Sequence, residues 1–172
     1  MRRLPTILLC AAAFMASFVA SAADRRAPGF ALMDSQGAWH DLADYRGKVV
    51  LLAFIQTTCP HCATFAEVLE QTQAKYRDKV AVLAVVNPPD TPDKVRDFLA
   101  GHKITFPIVF DVGQMAYSYI LSPNMTFPRL FLIDGGGTIR ADNEYGPLTR
   151  DIFEGNGLGP AIDRLLNNGR KM

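Results

Sequence analysis

The chain has 172 residues, of which 49% are hydrophobic, and its formal net charge at pH 7 is +1. This length suits one globular domain with a substantial apolar core. A net charge so close to zero, without any long run of lysine and arginine, argues against nucleic-acid binding, which depends on clustered positive charge. We therefore expect a single domain that binds no nucleic acid.

The first residues have the pattern of a secretory signal peptide. A positive start, MRR, precedes an almost wholly apolar run over residues 7–20, and small residues lead up to Asp24. The apolar run is shorter than the roughly 20 residues that a membrane-spanning helix needs. We expect residues 1–23 to be removed on export, which leaves residues 24–172 as a periplasmic domain without stable membrane insertion.

Hydrophobic periodicity predicts alternating strands and helices along the rest of the chain. Short alternating segments over residues 30–48 predict a hairpin. The elements expected after it are a buried strand at 49–55, a helix from Pro60, a buried strand at 79–87, a helix at 91–102, a short strand or extended link at 106–112, a brief helix at 113–120, strands at 128–134 and 138–145, and a closing helix at 159–168. Tyr117 and Tyr119 are expected to be packing residues of the brief helix. This order predicts an α/β fold with a central mixed sheet flanked by helices.

Loss of the signal peptide leaves two cysteines, Cys59 and Cys62, because Cys10 lies within the apolar run. A bridge between residues so close in sequence closes a very small loop and restrains the unfolded chain little. In an oxidising compartment such a pair suits a reaction better than a structural staple.

Cys59 lies where a predicted strand gives way to the helix that begins at Pro60. Unpaired N–H groups and the helix dipole favour negative charge at a helix start, so Cys59 is the expected attacking thiolate, supported by His61. Pro60 suits the first helical position because its missing N–H is one that the helix does not use. Cys62 lies one turn further on, facing the protein, and suits the resolving role. Stabilising the thiolate stabilises the reduced pair, which predicts an oxidising potential.

Three segments carry a family resemblance: KVVLLAFIQTTCPHC (residues 48–62), ITFPIVFD (104–111) and FPRLFLIDGGGTIR (127–140). In this order and spacing they resemble the thioredoxin-like superfamily, specifically the TlpA/ResA-like exported thiol-disulfide oxidoreductases with the related redoxin (AhpC/TSA) group. The resemblance extends from Pro28 to about Leu166. It implies a thioredoxin-like fold with an N-terminal β-hairpin extension.

The resemblance also implies roles for further residues. Pro128 corresponds to the cis-proline that lies against the cysteine pair, and Pro107 is a weaker candidate for that position. Phe127 and Thr58 are then expected to contact the substrate, since the backbone before the proline can pair with an extended partner segment. The implied partners are protein thiols and disulfides, including a membrane or envelope redox partner, and no cofactor or metal is expected.

The sequence departs from the family pattern at three positions. Thr58 stands where tryptophan usually precedes the first cysteine. Ala53 stands where a buried Asp or Asn often lies, and Phe65 stands where ResA-like members carry a glutamate. The sequence therefore reveals no acidic residue that would relay a proton to Cys62.

Other functions stay open at this point. A copper-handling protein resembling the Sco group would use both thiolates, which suit Cu(I), with His102 or His40 as a further ligand. A thiol peroxidase of the peroxiredoxin group would normally have Pro and Thr or Ser where this chain has Leu52 and Gln56. A zinc site is disfavoured because it normally needs four ligands. A binding module with an inert disulfide is the last alternative.

Overall fold

The computed structural model describes residues 24–169, and the predicted signal peptide lies outside them. These residues form a central sheet with helices on both faces and a separate two-stranded hairpin. Within this part of the chain, no helix combines the length and the apolar character needed to span a membrane.

The described residues contain eight strands and five α-helices. The strands are β1 (Arg25–Arg26), β2 (Ala31–Met33), β3 (Trp39–Asp41), β4 (Val49–Phe54), β5 (Val80–Val86), β6 (Ile108–Phe110), β7 (Arg129–Ile133) and β8 (Thr138–Glu144). The helices are α1 (Pro60–Tyr76), α2 (Pro92–His102), α3 (Gln114–Ile120), α4 (Arg150–Glu154) and α5 (Leu158–Gly169). Short 3-10 helices occupy Leu42–Tyr45 and Arg77–Lys79.

The sheet is mixed and has the strand order β1-β8-β7-β4-β5-β6. Strands β4, β5 and β6 are parallel, and β7 is antiparallel to both of its neighbours, β4 and β8. Strands β2 and β3 pair with each other as an antiparallel hairpin ahead of the sheet. The expected mixed sheet, flanking helices and N-terminal hairpin are therefore confirmed.

Separate apolar clusters cover the two faces of the sheet. Odd-numbered residues of β4, such as Leu51, pack with buried side chains of α1, α2 and α5. Even-numbered residues, such as Leu52, pack with α3 and with residues next to the hairpin. Every residue of β4 and β5 is buried, which explains why both strands are apolar throughout instead of alternating.

The strand register places two distant parts of the sequence at one end of the sheet. Phe54, the last residue of β4, pairs with Arg129, the first residue of β7. The chain therefore leaves β4 toward the cysteines at the same end where it enters β7 from Pro128. This arrangement brings the two motifs of the sequence together without any long loop.

Two elements differ from the sequence-based expectation. Strand β1, formed by two arginines, pairs with β8 at the edge of the sheet. Helix α4 has five residues, too few to show a helical period. Its fully buried Phe153 packs edge-on against Phe65 of α1, with ring centroids 4.7 Å apart. Helix α4 is thus fixed by tertiary packing.

The two tyrosines of α3 have different environments. Tyr119 is fully buried and donates a hydrogen bond from its hydroxyl to the Pro28 carbonyl at 2.6 Å. Tyr117 is 84% exposed, so the prediction that it packs in the core is wrong. The short helix has one buried face, and Tyr117 lies on the other.

Replacing Phe153 by alanine tests how α4 is held. Phe153→Ala should lower the free energy of unfolding by about 3–5 kcal/mol, because it removes a buried ring that packs on Phe65 and Tyr145. Urea unfolding followed by circular dichroism measures this change. Leu148→Ala, at a fully exposed side chain in the preceding loop, should change it by less than about 0.5 kcal/mol. Equal losses in both variants would contradict the packing argument.

Candidate functional site

Cys59 is the N-cap residue of α1. Its backbone is extended (φ −89°, ψ 118°), and its Sγ accepts a hydrogen bond from the Cys62 N–H at 3.3 Å. Pro60 follows in the first turn of the helix. The sulfur thus takes the position in which Ser, Thr or Asp oxygens commonly cap a helix. It is partly exposed, so a partner can reach it where the helix end favours negative charge.

Cys62 differs from Cys59 in its environment. Its side chain is fully buried in the apolar cluster beneath α1, as the sequence predicts, and both thiols are free. Burial raises the pKa of the Cys62 thiol above its ordinary value, and the contact with Cys59 and the negative charge of Asp90 raise it further. The pair therefore consists of one accessible and one enclosed sulfur.

Asp90 is the acidic neighbour that the sequence comparison with the family pattern does not reveal. It lies in the loop between β5 and α2, and its carboxylate accepts hydrogen bonds from the Thr57 N–H at 3.0 Å and from the Thr57 hydroxyl. Ala53 and Phe65, the positions where the family pattern has polar groups, are both fully buried. The carboxylate near Cys62 comes from another loop, so only the folded chain shows it.

His61 contacts Tyr145, which follows β8, and Glu154 of α4. Its Nδ1 lies 3.0 Å from Glu154 Oε1 and 3.0 Å from the Tyr145 hydroxyl, and its ring stacks on Tyr145 with centroids 4.4 Å apart. Among the hydrogen bonds of residues 24–169, His61 makes none to Cys59 or Cys62. The sequence predicts that His61 supports the Cys59 thiolate. In the structure, Glu154 competes with Cys59 for the imidazole of His61.

Glu154 is the centre of this polar cluster. The Tyr145 hydroxyl donates a hydrogen bond to it at 2.5 Å, and Arg150 Nε donates another at 2.8 Å. These bonds and that of His61 lower the pKa of the Glu154 carboxyl from 4.5 to about 2. An ionised carboxylate only accepts hydrogen bonds, so the Nδ1 of His61 carries a proton.

The Phe127–Pro128 peptide bond is cis, as the family resemblance implies. Pro128 is buried, and its carbonyl accepts a hydrogen bond from the Tyr145 N–H at 3.2 Å. Phe127 packs against the apolar cluster that contains Cys62, while Thr58 is exposed beside Cys59. The cis bonds of the described residues are Pro88–Pro89 and Phe127–Pro128, so Pro107 is not a cis-proline.

The histidines considered as copper ligands are engaged elsewhere. His40 contacts Asp34 and Tyr45, each at 2.8 Å. His102 contacts Glu67 at 3.0 Å. Across residues 24–169, no three His, Cys, Asp or Glu side chains cluster in a way that would hold a metal ion. Neither His40 nor His102 therefore joins the two thiols as a third ligand.

Comparison with known proteins identifies the family. Residues 23–142 match the AhpC/TSA family. The chain is 33% identical over 132 residues to the thioredoxin-like protein YneN of Bacillus subtilis, which covers 76% of this chain and 75% of YneN. It is also 33% identical over 142 residues to the thiol-disulfide oxidoreductase ResA of Geobacillus kaustophilus, which covers 82% of this chain and 79% of ResA.

A solved structure confirms the fold. The thioredoxin domain of a thiol-disulfide oxidoreductase from Bacteroides vulgatus superposes with a TM-score of 0.68 at 23% identity, covering 83% of this chain and 99% of that domain. The fold is thioredoxin-like, as the resemblance implies. The chain therefore belongs to the AhpC/TSA family, in its TlpA- and ResA-like group of thiol-disulfide oxidoreductases.

Proposed function

We propose that the chain exchanges disulfides with protein partners through Cys59 and Cys62, with Cys59 as the attacking sulfur. The observation that carries this proposal is the asymmetry of the pair: Cys59 is partly exposed at a helix start, and Cys62 is buried one turn further on. The similarity to ResA supports an exchange reaction, since that relative is a thiol-disulfide oxidoreductase.

The reaction has two exchange steps. The Cys59 thiolate attacks one sulfur of a partner disulfide, so that a mixed disulfide forms and the other partner sulfur leaves as a thiolate. Cys62 then loses its proton and attacks the Cys59 sulfur, which forms the Cys59–Cys62 bond and releases the second partner sulfur. The partner gains two electrons and the pair loses two. The reverse sequence oxidises a reduced partner.

The environment of Cys62 supports this order of steps. Because burial raises the pKa of the Cys62 thiol, Cys62 stays protonated and unreactive while Cys59 attacks. Its proton must leave before the second step. The negative charge of the Asp90 carboxylate, held by Thr57, also raises the pKa of Cys62, but less than burial does.

We assign Pro60, His61 and Pro128 to the reaction centre and Thr58 and Phe127 to the substrate surface. Thr58 is exposed next to Cys59, and the backbone before Pro128 can receive an extended partner segment by strand addition. In this proposal, residues 1–23 direct the chain to the periplasm. An envelope redox partner there keeps the cysteine pair in the oxidation state that the exchange reaction needs.

Peroxide reduction fits the site less well than exchange. Leu52 is fully buried within β4, and the Gln56 carbonyl accepts a hydrogen bond from the Cys59 N–H at 3.2 Å. The hydroxyl of Thr57, two residues upstream of Cys59, is directed to Asp90. A peroxidase needs polar groups that activate peroxide at the reactive thiolate, and Thr57 is committed elsewhere.

Trapping of partners tests the proposed function. In the exporting cell, Cys62→Ser should accumulate mixed disulfides with protein partners on Cys59, because the resolving sulfur is absent. Non-reducing electrophoresis followed by mass spectrometry identifies the partners. The double variant Cys59→Ser/Cys62→Ser is the control and should trap none. Absence of any Cys59 adduct in Cys62→Ser would contradict the proposal.

The effect of Asp90 on Cys62 is measurable in a protein with one thiol. In the Cys59→Ser background, where an oxygen can still cap α1, Asp90→Asn should move the midpoint of the ultraviolet thiolate titration of Cys62 to lower pH. The reason is that the substitution removes a negative charge that raises the pKa of Cys62. Asp93→Asn, at an exposed carboxylate paired with Arg96, should leave the titration midpoint of Cys62 unchanged. Equal shifts in the two variants would exclude a specific effect of Asp90.

A further inference from the structure

The histidine between the cysteines is part of a hydrogen-bonded cluster that extends well beyond the motif. His61 Nδ1 lies 3.0 Å from Glu154 Oε1, and Tyr145 both stacks on the imidazole and donates its hydroxyl to the same carboxylate. The side chain of Glu154 is 21% exposed, against 51% for that of His61. The carboxylate is therefore the more enclosed member of the pair and is held by several partners.

The cluster is built from parts of the chain that are far apart in sequence. Tyr145 follows β8, and its N–H is bonded to the carbonyl of Pro128. Glu154 ends α4, next to the buried anchor Phe153. The charged and titratable groups that face His61 from these elements are Glu154 and Tyr145, with Arg150 behind Glu154 at 2.8 Å. The position of the carboxylate is thus set by the fold.

We propose that Glu154 is a positioning residue that holds His61 away from Cys59 and offsets its positive charge, so that the cysteine pair is less oxidising than its CPHC motif alone predicts. This inference rests on the proposed exchange function and adds a determinant of the redox equilibrium outside the motif.

Glu154 affects Cys59 electrostatically, through His61. An imidazolium beside a thiolate stabilises the thiolate and with it the reduced pair. A carboxylate in contact with the same imidazolium offsets part of its field at a distance, because its negative charge, which Arg150 also contacts at 2.8 Å, reduces the net positive charge beside Cys59. The contact with Glu154 also occupies the Nδ1 proton, which then cannot be donated to a sulfur. Both effects reduce the stabilisation that His61 gives to the Cys59 thiolate.

Glu154→Gln is the appropriate substitution because it removes the charge and keeps an oxygen for Tyr145 and His61. On the acid side of neutrality, where an imidazole is ordinarily protonated, the variant leaves the imidazolium without its counter-charge. The midpoint of the ultraviolet thiolate titration of Cys59 should move to lower pH by roughly half a unit or more. The equilibrium with glutathione should shift about threefold toward the reduced pair.

Two further variants separate the proposed role from a general loss of charge. Glu67→Gln removes the ion pair between Glu67 of α1 and His102 of α2, which has the same 3.0 Å separation as the pair of His61 and Glu154. This variant should leave the midpoint of the Cys59 titration unchanged. In a His61→Gln background, Glu154→Gln should retain at most half of its effect, because the imidazolium is absent.

An unchanged or raised midpoint in Glu154→Gln would overturn the inference, as would an equal shift in Glu67→Gln or a full shift without His61. The wild type is assayed in parallel for reduction of a protein disulfide. If the wild type exchanges disulfides and Glu154→Gln does not alter the titration, only the inference about Glu154 is wrong. If the wild type exchanges none, the proposed function itself is wrong.

Discussion

The hydrogen bond from the Cys62 N–H to Cys59 Sγ determines the arrangement of the site. It forms because Cys59 has an extended backbone at the N-cap and Pro60 begins the helix behind it. The same geometry gives the two sulfurs different environments. Cys59 receives a backbone donor at a partly exposed helix end, whereas Cys62 enters the core one turn later. The chemical asymmetry of the pair thus follows from where a single helix begins.

The sheet brings the other groups to this helix end. Strand β4 is buried along its whole length and is paired with β7, so the loop after Phe54 and the cis-proline before Arg129 lie together. Strand β8 runs antiparallel to β7 and returns to this end of the sheet, where Tyr145 follows it. Helix α4 then adds Glu154 beside His61. A two-cysteine motif that is contiguous in sequence therefore operates among groups supplied by three other segments. In the proposed role of Glu154, the redox equilibrium of the motif depends on those segments as well as on its own residues.

Much of this arrangement is predictable from the sequence because it depends on local patterns. Apolar runs predict the central strands, a change of period predicts α1, and the spacing of the cysteines predicts one exposed and one buried sulfur. The roles of Asp90 and Glu154 could not be predicted in this way. Both reach the site through tertiary packing: Asp90 through its bonds to Thr57, and Glu154 through a helix too short to show a period and anchored by Phe153. The exposure of Tyr117 could not be predicted for a related reason, since a helix of seven residues, about two turns, is too short for its sequence to define the buried face.

In the proposed reaction Cys59, and not Cys62, is the sulfur that reacts with partner proteins. Brief treatment of the reduced, folded protein with iodoacetamide, followed by mass analysis of its peptides, measures the order in which the two thiols react. We expect modification of Cys59 alone, with Cys62 reacting only after denaturation, because Cys62 is fully buried and its pKa is raised. Modification of Cys62 first, or of both thiols at equal rates in the folded protein, would contradict this assignment.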